Sequence, residues 1–425
     1  MPARVVITGL GVVSPNASGI RSFKTALEEG KSGIRYIEEL ERYNFTCHYG
    51  GVPEKINEEQ QSILDKYSLD EADDSIKYAV LAGLEAWTDA GFTIPDFFEN
   101  NTLDDAGCII GTSLGGTEIF IRKMYPVITM GNVRRLGSQI VEHWMPSGPA
   151  ASLSKILALG NQTTANSSAC STGLESIIMS ADRIRNGKAQ FMLAGGTDPY
   201  TPYCWAGFDA MRLLCRNKYT DPAKASRPLS VTASGFVPSA GAGVVLLENL
   251  EHAVKRNARI YSEIAGSEIN SGGHRNGGSM TYPNPVKVIE CIKSALFNAN
   301  INPQKIDFVS GHLTGTKADV LEILNWKKAL SFGNNMPFIN APKSMIGHTI
   351  GAAGAIELIA AILQLTYNFV HPSINSEDLH PEIQQMVDRE KIPLSVVKNV
   401  SLNYIAKASF GFGDVNSCII LKKYV

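Results

Sequence analysis

The feature that most constrains the fold is an alternation. Short uncharged runs with no helical period are each followed by a stretch that has one. Residues 4–13, Arg-Val-Val-Ile-Thr-Gly-Leu-Gly-Val-Val, read as a buried strand, and so do residues 163–168 and 189–196, while residues 106–116 read as a buried strand opening into a glycine-rich turn. Between them, residues 20–29, 58–69, 75–90, 118–125, 134–142, 151–159 and 174–187 carry helical spacing or composition. Ser75 is the expected N-cap of its helix and Gly91 its stop. Residues 235–237 and 242–248 read as two paired strands, with a helix at 250–255. The pattern then restarts: strands at 259–267, 306–310 and 338–341, helices at 286–299, 318–332 and 351–365, and last strands at 397–403 and 417–422. Strands alternating with helices predict an α/β fold. The break near residue 255 predicts two similar halves, 1–255 and 256–425, although no strong internal repeat supports them.

Composition removes several function classes. Hydrophobic residues make up 44% of the chain and charged residues 19%, enough for a large core and against global disorder. A net charge of −2 argues against a nucleic-acid binder. The best candidate for a membrane span, residues 351–365, is too short and carries Glu357. The N-terminus enters a strand with no signal pattern, and the seven cysteines form no C-x-x-C pair, so a reduced, cytoplasmic enzyme is expected.

Glycine-rich turns are weak guides here. Gly9 and Gly11 suggest a dinucleotide fingerprint, but the third glycine is missing and Pro15 stands where a helix would begin. The turn at residues 111–116 lacks the Gly-Lys-Ser/Thr ending of a phosphate loop, and tight backbone packing accounts for it better. The reactive candidates lie elsewhere. Cys170, in Asn166-Ser-Ser-Ala-Cys-Ser-Thr-Gly173, precedes a helix whose apolar residues recur at Leu174, Ile177, Ile178, Ala181 and Ile184. A cysteine at a helix N-terminus is expected to be biased toward thiolate. His312 and His348 follow two separate strands. One Cys with two His fits a Cys–His pair, a metal site or a carbon–carbon bond-forming thioester enzyme. No ligand spacing favours metal, and none is expected.

The words around these residues carry a resemblance. Ser168-Ala-Cys-Ser-Thr-Gly173, His312-Leu-Thr-Gly-Thr316, Lys343-Ser-Met-Ile-Gly-His348 continuing to Glu357, and Phe410-Gly-Phe-Gly413 with Asn416 resemble, in order, the motifs of elongating β-ketoacyl-[acyl carrier protein] synthases. The resemblance implies a thiolase-like fold of two pseudo-equivalent βαβαβαββ halves in a five-layered α-β-α-β-α core, usually as a dimer. It implies an acyltransferase that holds an acyl group on Cys170 and condenses it with malonyl-carrier protein, with loss of carbon dioxide. His312 and His348 would stabilise the enolate. The backbone N–H groups of Cys170 and Phe410 would form the oxyanion hole. Lys343 and Glu357 would form an orienting ion pair beside the second histidine. Thr314 and Thr316 would hold the phosphopantetheine arm of acyl carrier protein, Phe410 would gate the pocket with Phe412 in the same loop, and Leu114 would lie along the acyl chain. No tightly bound cofactor is implied.

Departures from the family pattern cluster beside the reactive groups: Leu313 after the first histidine, Lys317 after the second threonine, Ala408-Ser409-Phe410, and Gly413-Asp-Val-Asn416. The stretch from His312 to Trp326 is similar to ketosynthases of specialised type II systems such as aryl-polyene pathways, which can work with a chain-length-factor partner. A thiolase would want a second cysteine where Asp414 stands, an initiating synthase Asn in place of His348, and a non-catalytic partner subunit would lack Cys170. Arg122, Lys123, Arg134 and Arg135 are candidates to dock an acidic carrier protein.

Overall fold

The computed structural model of the chain describes residues 3–96, 101–333 and 335–424. Its strands are β1 (Val5–Ser14), β2 (Ala106–Gly111), β3 (Thr163–Thr164), β4 (Phe191–Asp198), β5 (Gly241–Asn249), β6 (Ser262–Ser271), β7 (Phe308–Ser310), β8 (Phe338–Asn340), β9 (Tyr404–Gly411) and β10 (Val415–Lys423). The helices that pack on them are α1 (Asp74–Asp89), α2 (Gly148–Leu157), α3 (Thr172–Arg185), α4 (Pro285–Asn298), α5 (Ala318–Leu330) and α6 (Ala353–Tyr367). The strands form one mixed ladder in the order β8-β7-β9-β10-β6-β1-β5-β4-β2-β3, with the short strand Ala17–Ser18 paired to the end of β1. Outward from the centre, the first five strands lie as first, fifth, fourth, second, third. The second five repeat that order, so each half is βαβαβαββ. The halves meet where β1 runs antiparallel to β6 through Val6↔Glu263 and Ile7↔Ser262.

Strand alternation divides the core into three. Val5 and Ile7, Met192 and Ala194, Val245 and Leu247, Ile405, Ile419 and Leu421 point inward, onto α3 and α6. The residues between them point outward. Leu193, Val244 and Leu246 meet α1 and α2, and Ala406, Cys418 and Ile420 meet α4 and α5. A sheet half buried on both faces needs apolar side chains at successive positions, which is why β4 and β5 read as continuous apolar runs. The outcome is five layers, with α3 and α6 at the centre. With its preceding turn, α6 is the one helical segment among the described residues long and apolar enough to cross a membrane, at Ile350–Tyr367, but 89% of it is buried inside the protein.

Several sequence expectations shift for identifiable reasons. The helix expected at 118–125 runs unbroken over 117–129, with a π-helical turn at Phe120–Met124, whereas the one expected at 134–142 is broken into Val133–Leu136 and Ile140–Trp144. Gly131 and Gly137, both at positive φ, interrupt the pattern. Helix α1 is capped by Asp73, whose carboxylate accepts the Ser75 N–H at 3.0 Å, rather than by Ser75. Residues 235–237 form no strand. Phe236 makes an isolated bridge to Leu214, and the Val237 carbonyl is taken by the backbone of His348. The strand expected at 397–403 is displaced to β9, so Phe410 and Gly411 end a strand instead of lying in a loop. Val397–Lys398 pairs with Phe369–Val370 in a separate two-stranded sheet.

Gly9 and Gly11 are packing glycines. A Cβ on Gly11 would sit 1.8 Å from the Ala82 carbonyl oxygen of α1, and one on Gly9 would sit 2.0 Å from that of Ala86. Helix α1 can therefore lie directly on β1 only if both stay glycine. Gly11→Ala is expected to destabilise the protein by about 3 kcal/mol, at the upper end of overpacking costs, read as a lower denaturant midpoint; an unchanged midpoint would refute the close approach.

Candidate active site

Cys170 sits in a single tight turn, Ala169–Ser171, that feeds directly into α3. The turn is held at every step. Ala169 adopts a positive φ of 49°, and its carbonyl accepts the Ser113 hydroxyl at 3.0 Å and the Thr172 hydroxyl at 2.7 Å. The Thr172 hydroxyl also accepts the Ser168 N–H at 2.8 Å, and Ser171 Oγ donates to the Ser409 carbonyl at 3.1 Å. Ser113 is itself fixed by Asp198. One oxygen of that carboxylate accepts the Thr112 hydroxyl and the N–H groups of Ser113 and Leu114, and the other accepts the Gly351 N–H at 2.6 Å. Burial raises the Asp198 carboxyl to about 6. The glycine-rich turn at 111–116 is thus a bracket for the cysteine and for the segment after His348.

The second half supplies both histidines. His348 follows Gly347, whose φ of 68° turns the chain, and its backbone donates to Val237 O at 2.7 Å. His348 Nδ1 accepts the Ile350 N–H at 3.1 Å, so the neutral ring carries its proton on Nε2, 3.1 Å from Cys170 Sγ. Ile350 pays for this with a φ of 50°, a conformation that a β-branched residue rarely takes. His312 is fixed from the other side. The Lys343 ammonium lies 3.3 Å from His312 Nδ1, donates to the His312 carbonyl at 2.6 Å and pairs with Glu357. An ammonium has only protons to offer, so His312 Nδ1 is also an acceptor and Nε2 a donor. Burial, reinforced by the Lys343 charge, holds both imidazoles well below the usual histidine range and neutral. The two rings meet edge to face, 5.4 Å apart.

The Cys, His and His ligand atoms lie within 4.8 Å of one another. As a metal site this set is poorly prepared, because each Nδ1 lone pair is occupied and each Nε2 is protonated. As a site for a developing oxyanion it is well prepared: two N–H donors on buried rings converge beside the thiol. The pocket is part of a cavity of about 460 Å³, whose lining includes Thr314, Thr316, Phe410 and Phe412. The two threonine hydroxyls are 3.0 Å apart. Leu114 lies outside this lining, packed in the cluster that holds Trp205, Phe236 and Ile350.

Lys343 bonds the first histidine, and its charge also bears on the second. One placement differs from the sequence reading. The amide aimed at Cys170 Sγ is that of Phe412, while Phe410 is paired in the sheet with Asn416. The ordering of the loop was fixed on charges the sequence marks but motif matching passes over. Glu322 accepts the N–H groups of His312 and Leu313 at 2.6 and 2.7 Å, and Asp319 those of Thr314 and Gly315 at 2.9 and 3.1 Å. Burial raises Glu322 to about 7. Lys407, wholly buried and 2.7 Å from the second oxygen of Glu357, gave no signal in sequence at all. The proposed docking cations also divide. Arg122 is paired with Glu39 and Glu118 and Lys123 with Glu71, whereas exposed Arg212, Arg216 and Lys317 line the cavity itself.

Burial works against the thiolate that the helix mouth favours. Burial pushes the Cys170 thiol up to about 12, and the Lys343 charge and the Phe412 N–H offset this only in part. The thiolate fraction of the resting enzyme should therefore rise about tenfold per pH unit. Alkylation of Cys170 by iodoacetamide is expected to accelerate from pH 7 to 9 with no plateau; a plateau below pH 8 would restore the dipole-activated thiolate.

The comparisons agree with this geometry. The model of the β-ketoacyl synthase N-terminal domain matches residues 3–253, and that of the C-terminal domain residues 261–377. The chain is 34% identical to chloroplastic 3-oxoacyl-[acyl-carrier-protein] synthase I of Arabidopsis thaliana, over 99% of this chain and 87% of that one. It is 32% identical to 3-oxoacyl-[acyl-carrier-protein] synthase 1 of Escherichia coli K12, over 99% of each. Among solved structures it is similar to AntDE:AntF, a type II PKS acyl-carrier protein in complex with its ketosynthase, with a TM-score of 0.87 and 28% identity over the whole of both chains. The ishigamide ketosynthase/chain length factor gives a TM-score of 0.86 and 26% identity, again over both whole chains. With the thiolase-like topology, the two matching domain models and relatives aligned end to end, the chain belongs to the β-ketoacyl synthase family of condensing acyltransferases.

Proposed function

We propose that this protein condenses an acyl group held on Cys170 with malonyl-carrier protein, in fatty-acid or type II polyketide chain elongation. The observation that carries the reading is the convergence of one thiol and two neutral Nε2–H donors in one cavity with a threonine-lined wall. In the first half-reaction the Cys170 sulfur attacks the carbonyl carbon of an acyl-pantetheine thioester. A new C–S bond forms, the old one breaks, and the carrier sulfur leaves with the proton that Cys170 gives up. In the second, the bond between the malonyl carboxylate and its α-carbon breaks. Carbon dioxide departs, and the electron pair flows onto the thioester oxygen, where His312 and His348 donate hydrogen bonds. The enolate carbon attacks the acyl group and Cys170 sulfur leaves. The Cys170 and Phe412 amides receive the tetrahedral oxygen, a role supported by the Phe412 N–H that reaches Cys170 Sγ. Thr314 and Thr316 hold the pantetheine arm, which is substrate rather than resident cofactor.

Other assignments follow from the same reading. The halves divide in the connection between β5 and β6, near residue 255. Residues 120–141 expose Phe120, Tyr125, Ile128, Met130, Val133 and Val141, apolar side chains suited to cover by a second subunit, either another copy or a chain-length-factor relative. The polyketide alternative draws support from the ketosynthase neighbours with carrier-protein and chain-length-factor partners. The seven free cysteines suit a reducing compartment such as the cytoplasm. Leu114 remains a candidate wall for the acyl chain through its neighbour Ile350.

Intact-protein mass spectrometry with a mixture of acyl-carriers should show one acyl adduct, absent in Cys170→Ala; an adduct surviving that substitution would remove the cysteine from its role. His312→Ala and His348→Ala should each slow malonyl decarboxylation about 100-fold or more while acyl transfer is retained in part; normal decarboxylation in both would refute the enolate assignment. Arg216→Glu with Lys317→Glu should raise the apparent KM for carrier protein about tenfold and flatten its salt dependence; an unchanged KM would move docking elsewhere, including to Arg134 and Arg135.

A further inference from the structure

We propose that Lys407 is a positioning residue for decarboxylation: its ammonium, the second on Glu357, leaves the pocket behind His312 and His348 with a surplus positive charge that serves the incoming malonyl carboxylate and the enolate. This rests on the ketosynthase reading above and adds to it a residue that acts through the histidines.

The geometry is that of a carboxylate shared between two ammonium groups. Glu357, in the middle of α6, gives one oxygen to Lys343 and the other to Lys407, and all three side chains are buried. Lys343 has no N–H to spare, since Glu357, the His312 carbonyl and His312 Nδ1 account for its three. The Lys343–Glu357 pair alone would already be neutral and would already fix the His312 tautomer. Lys407, which also donates to the Ala408 carbonyl, adds a charge the pair does not need. A buried ammonium without its own counter-ion is costly, and an apolar side chain of similar length would be the more stable choice.

The surplus is not cancelled nearby. The charged and titratable groups that face Lys407 are Glu357 on α6, Lys343, Glu322 on α5, Cys418 on β10 and the two histidines. Glu322 already spends both oxygens on three N–H groups, those of His312, Leu313 and Trp326, and burial raises its carboxyl to about 7. Burial likewise pushes Cys418 up to about 12, and it stays uncharged. Burial lowers Lys407 from its ordinary value, with Lys343 opposing and Glu357 favouring its charge. Lys407 and Lys343 both act against a proton on His312 and His348, which keeps the two rings as neutral donors. Such a field is unfavourable in the empty site and favourable once an anion arrives, which is the differential stabilisation that speeds a step. No bond to Lys407 forms or breaks.

The test uses Lys407→Met and Lys407→Gln in the full-length enzyme, with four readouts: thermal midpoint, acylation of Cys170, decarboxylation of malonyl-carrier protein, and the pH profile of that decarboxylation. The expected result is a midpoint in Lys407→Met no lower than in the parent, acylation within about threefold, and decarboxylation slowed about 10- to 100-fold. The acid limb of the profile should move to higher pH by about one unit, because imidazoles that lose a neighbouring cation accept protons more readily. Unchanged decarboxylation with an unmoved acid limb in both variants would overturn the proposal. So would a fall of both half-reactions in proportion to a lower midpoint in both variants, which would make Lys407 a brace for the fold alone. A parent enzyme that neither acylates Cys170 nor decarboxylates malonyl-carrier protein would instead overturn the ketosynthase reading, and Lys407's role with it.

Discussion

Two hydrogen bonds to Nδ1 atoms decide what this site can do. Ile350 N–H on His348 and the Lys343 ammonium on His312 leave each imidazole with its proton on Nε2, aimed into the cavity. With those bonds in place the histidines are donors, and neither can take the proton of Cys170. The site is then specialised for receiving negative charge on oxygen, as decarboxylation of a malonyl thioester requires. A Cys–His pair of the protease kind needs the opposite tautomer at the histidine facing sulfur.

The fold exists to hold these bonds. Cys170 belongs to the first half and both histidines to the second, so the site forms only where the halves are locked together. The lock is the central layer. A Cβ on Gly173 would lie 2.9 Å from the Gly351 carbonyl, and Gly354 is as close to Leu174, so the turns at the starts of α3 and α6 touch backbone to backbone. Asp198, at the end of β4, ties the 111–116 turn that brackets Cys170 to Gly351. Glu357 lies one turn further along α6, and breaking a buried pair of its kind costs about 3–5 kcal/mol. Stability and tautomer are therefore set by the same side chains.

The sequence carried the scaffold and the reactive atoms more fully than their surroundings. Apolar runs separated by helical stretches are enough to read an α/β fold, because strands buried on both faces leave continuous apolar words. Cys170, His312 and His348 sit in short motifs whose order is preserved along the chain. What stayed hidden depended on chain segments far apart. Lys407 falls between the last two expected strands and reads as an ordinary basic residue until β9 is laid beside α6. The Phe412 amide displaced Phe410 because β9 runs further than its composition suggests, carrying Phe410 into the ladder. Asp319 and Glu322 cap the N–H groups of the His312 loop, a role that no motif there announces. Burial, which no local pattern reports, pushes the Cys170 thiol up and so opposes the thiolate bias expected from a helix mouth.

The most direct measurement of the central claim is the nitrogen and proton NMR of histidine in protein labelled at the imidazole nitrogens, with His312→Gln and His348→Gln variants to assign the signals. The account predicts that between pH 6 and 8 both rings are neutral, protonated at Nε2 and unprotonated at Nδ1, with no titration of either. A ring protonated at Nδ1, or one that takes up a second proton within that range, would contradict it.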